Sequence, residues 1–133
     1  MATEQNLAQA WLTKAEQTLA ASNLLLSQHF FDDAASRAYY AMFAAAKAAL
    51  ISIDIETRSH TGLKYQFGQH FVRTGLVDAK FAKMLSATFE VRQSSDYGIF
   101  NRPLLAEAQT IVANAEQFVS TIKELLSESN ESE

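Results

Sequence analysis

The chain has 133 residues, 48% of them hydrophobic, and no cysteine, which fits one packed domain and leaves neither a disulfide framework nor a thiolate metal site. Its formal net charge of -4 argues against general affinity for nucleic acid. The N-terminus lacks the basic start and apolar run of a signal peptide, and no apolar stretch reaches the roughly 18 to 20 residues that span a bilayer, so a soluble, cytoplasmic protein is expected.

Four glycines, one proline and apolar residues recurring every three to four positions predict an all-α fold, a five-helix up-and-down antiparallel bundle. The first helix, about 4–28, sets Leu7, Trp11, Ala15, Leu19, Ser22 and Leu26 along one side. His29-Phe30-Phe31 turns a corner, and Asp32 or Asp33 is expected to cap a second helix running to about Ser52. There Ala34, Ala38, Ala41, Ala45 and Ala48 form a methyl-only stripe beside a second stripe of Ala35, Tyr39, Met42, Ala46 and Ala49, which marks this helix as the bundle's centre. Tyr39 and Tyr40 read as core, and Arg37 as paired with Asp33 four residues earlier.

Ser59 caps a shorter third helix that reaches about Arg73 and ends at Thr74-Gly75, with Leu63, Phe67 and Phe71 spaced four apart. Asp78 starts a fourth, in which Phe81, Leu85, Thr88, Arg92 and Asp96 share a face, and Tyr97-Gly98 stops it. Asn101 caps the fifth with Pro103 in its first turn. The heptad of Leu104, Ala108, Ile111, Ala115, Phe118, Ile122 and Leu125, flanked by Leu105, Val112, Val119 and Leu126, predicts a broad seam against a partner helix. The expected organisation is one domain over 1–126 and a disordered acidic tail over 127–133.

Charge is uneven along the chain. Segment 58–102 holds seven Lys or Arg (58, 64, 73, 80, 83, 92, 102) against three acids (78, 90, 96), so it is net +4 and the remainder net -8. A positive face on an acidic protein suits a phosphate-bearing partner, although ordinary surface variation also produces one. No metal site or cofactor is expected: His29, His60 and His70 share no pair three or four apart, and Glu56 with His60 reads as a surface pair at a helix start. The four glycines stand singly, so no phosphate-cradling loop exists.

The stretch Arg92-Gln93-Ser94-Ser95-Asp96-Tyr97 breaks local helix rules. An arginine four residues before an aspartate is the weaker order of a helical ion pair, and a carboxylate in the last turn faces the negative end of the dipole. Such violations often mark a site, the competing reading being that Asp96 caps the next loop or pairs with Arg102.

Ser36-Arg37-Ala38-Tyr39-Tyr40-Ala41-Met42-Phe43, His60-Thr61-Gly62-Leu63, Phe71-Val72-Arg73-Thr74-Gly75 and Arg92 to Tyr97 together resemble the HEPN (higher eukaryotes and prokaryotes nucleotide-binding) domain, most closely its small stand-alone prokaryotic members, over about 19–126. The resemblance implies a helical bundle that dimerises around a shared cleft, often paired as a toxin with a minimal nucleotidyltransferase antitoxin. Active members of the family are metal-independent ribonucleases with an Arg, four to six residues, then a His. Arg92 matches that arginine and Gln93 the polar residue that often follows it, but the positions open to the histidine hold Tyr97, Gly98 and Ile99. An Arg, three residues and Asp-Tyr resembles a pattern of the stand-alone subgroup.

On this resemblance the expected catalytic residues are Arg92, Asp96 and Tyr97, and the expected contacts for RNA or nucleotide are Arg92, Gln93, Arg73 and Lys83. Imidazole titrates near neutrality and phenol does not, so Asp96 would serve as base and Arg92 would stabilise the phosphorane. Tyr97 is alternatively a nucleotide acceptor, as a tyrosine near this motif is in related pairs. The function expected is an RNA-acting, ribonuclease-like toxin that forms a homodimer and partners a minimal nucleotidyltransferase. Two other readings stand beside it: a catalytically silent nucleotide- or polynucleotide-binding subunit, and a purely structural dimerisation bundle.

Overall fold

A computed structural model describes residues 4–97 and 103–131, with side chains over 5–93 and 103–128. The described residues form five α-helices and no strand: α1 (Glu4–Ser27), α2 (Phe31–Ile51), α3 (His60–Phe67), α4 (Ala79–Tyr97) and α5 (Leu105–Glu131). α3 runs on as a π-helical turn, Gly68–Val72, so the single helix expected to reach Arg73 is α-helical only in its first half. Among the described residues no helix is long and apolar enough to cross a membrane.

α2 is the centre, as its alanine stripes require. It packs against α1, α3, α4 and α5, and Ala34, Ala38, Ala41, Ala45 and Ala48 are wholly buried. Methyl side chains let neighbouring backbones come close. At one such approach the Ser22 hydroxyl of α1 donates to Ala34 O at 2.7 Å, which satisfies a buried polar group across the α1–α2 contact.

At the far side Phe118 of α5 is fully buried. It stacks on Phe67 at 5.5 Å between centroids and meets Phe81 edge-on at 5.9 Å, so α3, α4 and α5 share one aromatic plug.

The corners are closed by backbone. After α1, Phe30 N–H bonds Leu25 O at 2.9 Å and His29 N–H bonds Leu26 O at 3.0 Å, a Schellman closure. After α2, Ile55 N–H bonds Leu50 O at 2.9 Å and Asp54 N–H bonds Ile51 O at 3.0 Å in the same pattern. The left-handed residues are His29 and Asp54, each at φ 66°, where glycine would be unstrained. Gly75, at φ 80°, takes that conformation freely and ends the α3 segment as expected. Ser59 Oγ accepts from Gly62 N at 2.9 Å, so the expected cap forms, and Asp78, expected to start the fourth helix, accepts from Lys80 N through Oδ1 at 2.8 Å.

Several boundaries and registers differ from expectation. Asp32 and Asp33 lie inside the first turn of α2, whose N-cap is Phe30 with no side-chain bond; there they complement the helix dipole without capping. Asp33 and Arg37 are both exposed with no bond between them, because in water the pairing gains little over hydration. In α1 Ala15 and Ser22 of the expected stripe are wholly buried and Trp11, Leu19 and Leu26 pack against the core, whereas Leu7 is exposed and Ala8, Leu12 and Thr18 are buried beside them, so the inward arc is wider than the expected stripe and centred slightly to one side of it.

α5 begins at Leu105, its first turn closed by Ala108 N–H on Leu104 O at 2.9 Å. Pro103 therefore precedes the helix, and Asn101 lies outside the described residues. The heptad seam is buried from Ala108 to Ile122 and partly buried at Leu125, whereas Leu104 and Leu105 are exposed. α5 also continues to Glu131, through most of the acidic segment expected as a tail; glutamate is a good helix former, and each added residue extends an existing ladder.

Candidate functional site

The face of α2 that turns away from the alanine stripes meets α3 and α4, and there the packing changes from methyl groups to polar aromatics. The fourth helix carries Phe81, Leu85 and Thr88 into the bundle, all buried, and the next residue on that line is Arg92, partly exposed. About three helical turns thus carry the same face from core to surface. Arg92 Nη2 donates to Tyr40 Oη at 2.6 Å. The guanidinium carbon lies 5.1 Å from the centre of the Tyr40 ring, within cation–π range. Two interactions with one tyrosine hold this guanidinium at the edge of the bundle, with its Nε buried.

Tyr40 is thus not core. It is 36% exposed, and its expected burial holds only for its neighbour Tyr39, which is wholly buried. Adjacent helical residues point about 100° apart, so one tyrosine enters the core and the other stands at its rim. The rings meet edge-on at 5.6 Å.

Inside the rim, the Tyr39 hydroxyl is hydrogen-bonded to His60 Nδ1. The His60 ring stacks on Phe89 of α4 at 4.6 Å and touches Phe43 of α2 at 5.2 Å. Phe89 lies one turn before Arg92, which closes a circuit through three helices: Arg92, Tyr40, Tyr39, His60, Phe89. Burial pushes the Tyr39 phenol up from its ordinary range, with Arg92 opposing and Tyr40 reinforcing that shift, so it keeps its proton throughout the physiological range. Burial, and then the Arg92 charge, push the His60 imidazole below its usual value, so it is neutral at pH 7.

The loop that delivers His60 is tied to α2. Lys47 Nζ donates to Thr57 O at 3.0 Å and sits 5.1 Å over the Trp11 ring of α1. With Ser59 capping α3, both the approach to His60 and its own helical turn are held. Glu56, the expected partner of His60, is exposed with no bond to it; the imidazole is engaged by α2 and α4.

The other expected site residues are scattered. Gln93 is exposed beside Arg92. Lys83 is nine residues before Arg92 on α4, which places it about half a turn away, on the opposite face. Arg73 follows the π-helical turn at the end of the α3 segment remote from His60, and its Nη1 donates to Gln69 Oε1 at 3.0 Å. Neither Lys83 nor Arg73 joins the cluster. Asp96 and Tyr97 stand on the last turn of α4, one turn past Arg92; their side chains, together with Gly98 and Arg102, lie outside the described residues. Among the described residues no three His, Cys, Asp or Glu converge as a metal site would need.

Sequence spacing had no means of joining Tyr39, His60 and Arg92, which stand on three helices. A signal was present in His60-Thr61-Gly62-Leu63, one of the motifs carrying the family resemblance, but nothing in it assigned the imidazole a role.

Comparison with known proteins gives this bundle its family. A putative toxin of Methanocaldococcus jannaschii is 34% identical over 120 residues, which cover 90% of this chain and 89% of that protein. A second putative toxin from the same organism is 30% identical over 119 residues, covering 90% and 81%. A UPF0332 protein of Gloeobacter violaceus is 32% identical over 118 residues, covering 88% and 94%. The HEPN domain model matches residues 8–125, nearly the whole described fold, and the chain belongs to the HEPN family.

Proposed function

We propose that this chain is a toxin-type HEPN protein that acts on RNA as a homodimer, with Arg92 as its phosphate-binding residue and a minimal nucleotidyltransferase as its controlling partner. The observation that carries this reading is the Arg92–Tyr40 lock: a guanidinium at the surface, held at 2.6 Å by a phenol and backed by its ring. A pre-oriented guanidinium suits the bidentate geometry of a phosphodiester and gives up little freedom on binding it. Its place in the basic segment 58–102 of an acidic chain and the names of the two archaeal relatives support the same reading.

In this proposal the 2'-hydroxyl of the substrate attacks the adjacent phosphorus, and Arg92 stabilises the charge that gathers on the phosphorane oxygens. Asp96 and Tyr97, one turn further along α4, border the same strand path. Two copies of Arg92 would line a cleft shared by the dimer.

The test is incubation of purified protein with total RNA in EDTA, beside Arg92→Ala. The expected outcome is wild-type cleavage that leaves 2',3'-cyclic phosphate ends, reduced by about 100-fold or more in the variant, the scale of losing one transition-state donor. Equal cleavage by both proteins, or none by a dimer, would remove the enzyme reading.

A further inference from the structure

We infer that His60, delivered from the start of α3, supplies the imidazole of this site, with Tyr39 as its positioning residue. The inference rests on the RNA-cleaving reading above and adds to it the proton-transfer group that the α4 motif lacks. Its basis is the aromatic circuit. His60 lies on Phe89, one turn from Arg92, while its Nδ1 is bonded to a phenol adjacent to the one that holds Arg92. Imidazole and guanidinium are thus set by neighbouring residues on each of two helices, Tyr39 and Tyr40 on α2 and Phe89 and Arg92 on α4. A histidine present only to satisfy a buried tyrosine would be expected inside the core, whereas His60 is partly exposed.

The chemistry closes without further components. With Nδ1 protonated and donating to the Tyr39 oxygen, Nε2 presents a lone pair. That lone pair takes the proton of the 2'-hydroxyl as the O2'–P bond forms and the P–O5' bond breaks. The 5' oxygen takes a proton from water, and His60 returns its own to solvent, so the products are a 2',3'-cyclic phosphate and a 5'-hydroxyl. The phenol holds the ring in place, as a carboxylate does in other histidine dyads; unlike a carboxylate it can donate as well as accept, so both tautomers are open to His60 and catalysis draws on the one with Nδ1 protonated. A neutral imidazole at pH 7 is the form a base requires. Tyr39, by its hydrogen bond, and Arg92, by its charge, act on it directly; the other titratable or charged groups near it in sequence or on the helices that pack against it are Tyr40 and Lys47 on α2, exposed Glu90 on α4, and exposed Glu56 and Arg58 in the preceding loop.

The experiment follows cleavage of a short RNA across pH by wild type, Arg92→Ala, His60→Ala and Tyr39→Phe, with melting curves to confirm that each folds. His60→Ala is expected to lose about 100-fold or more, the scale of general base catalysis, and added imidazole to restore part of the rate. Tyr39→Phe keeps the ring that packs against Phe89 and Phe43. It is expected to move the acid limb of the rate profile to lower pH, because the imidazolium loses an acceptor. Wild-type rates in His60→Ala, beside an inactive Arg92→Ala, overturn the inference and leave the RNA reading standing. A loss in His60→Ala that imidazole does not restore, with an unmoved profile in Tyr39→Phe, makes His60 a packing residue and also overturns it. No cleavage by wild type overturns both.

Discussion

Helix α2 shows two kinds of packing on one cylinder. Its alanine stripes, from Ala34 to Ala49, are buried in the bundle, and Tyr39, on the second of them, is the one titratable residue they carry. The neighbouring side presents Tyr40, Phe43 and Lys47, and each of these, like Tyr39 at its edge, makes a polar or cationic contact or faces a ring that does. Close packing tolerates no change of volume, so the first kind fixes where the helices lie. The second kind has no such economy of space. It leaves Tyr40, His60 and Arg92 partly open to water, and its bonds orient groups at the surface without sealing it. Stability therefore belongs to one region and chemistry to the other, and substitutions should separate them.

The largest effect on stability is expected in the sealed region. Phe118→Ala removes a fully buried ring that touches both Phe67 and Phe81 and should cost about 3–5 kcal/mol, measured by urea denaturation; a cost under about 1 kcal/mol would mean that the plug is not packed as described. Ser59→Ala removes the α3 cap that starts the turn bearing His60 and should cost about 1 kcal/mol. Its reach into the site is read from the His60 imidazole chemical shifts, which should move with it.

Tyr40→Phe sharpens the contrast. It deletes the hydroxyl that holds Arg92 and keeps the ring beneath the guanidinium, so stability should change by no more than about 1 kcal/mol at this exposed position. RNA cleavage, in contrast, should fall clearly. A variant as active as wild type would show that the lock on Arg92 is idle.

The smallest effect is on pH dependence. His60 has its pKa lowered by folding, so below about 6.5, the ordinary histidine value, the unfolded chain binds a proton that the folded chain refuses. Its contribution to stability is thus complete above that pH and declines as pH falls toward the depressed folded value. His60→Gln should flatten that part of the stability profile between pH 7 and pH 5, and an unchanged slope would deny the imidazole its burial.

Much of this was legible in the sequence for local reasons. The alanine steps on α2, the cap at Ser59, the helix start at Asp78, the stop at Gly75 and the seam from Ala108 to Leu126 each depend on residues within a few turns of one another. Periodicity and backbone chemistry therefore suffice to find them. The corner at His29-Phe30-Phe31 was legible as well, but not the left-handed residues His29 and Asp54, because a Schellman closure can carry a non-glycine residue when the surrounding packing holds it.

The family also followed from the chain alone, through the motifs around Tyr39, His60, Arg73 and Arg92. What only the tertiary structure decided was which tyrosine is core and which is rim, that Lys83 and Arg73 stand away from the cluster, and that an imidazole from α3 is joined through Tyr39 and Tyr40 to Arg92 of α4. The physical reason is range. A helix specifies its own faces from residues three and four apart, whereas a site assembled from three helices depends on the rotation of each about its axis, and that rotation is set by the packing of the whole bundle.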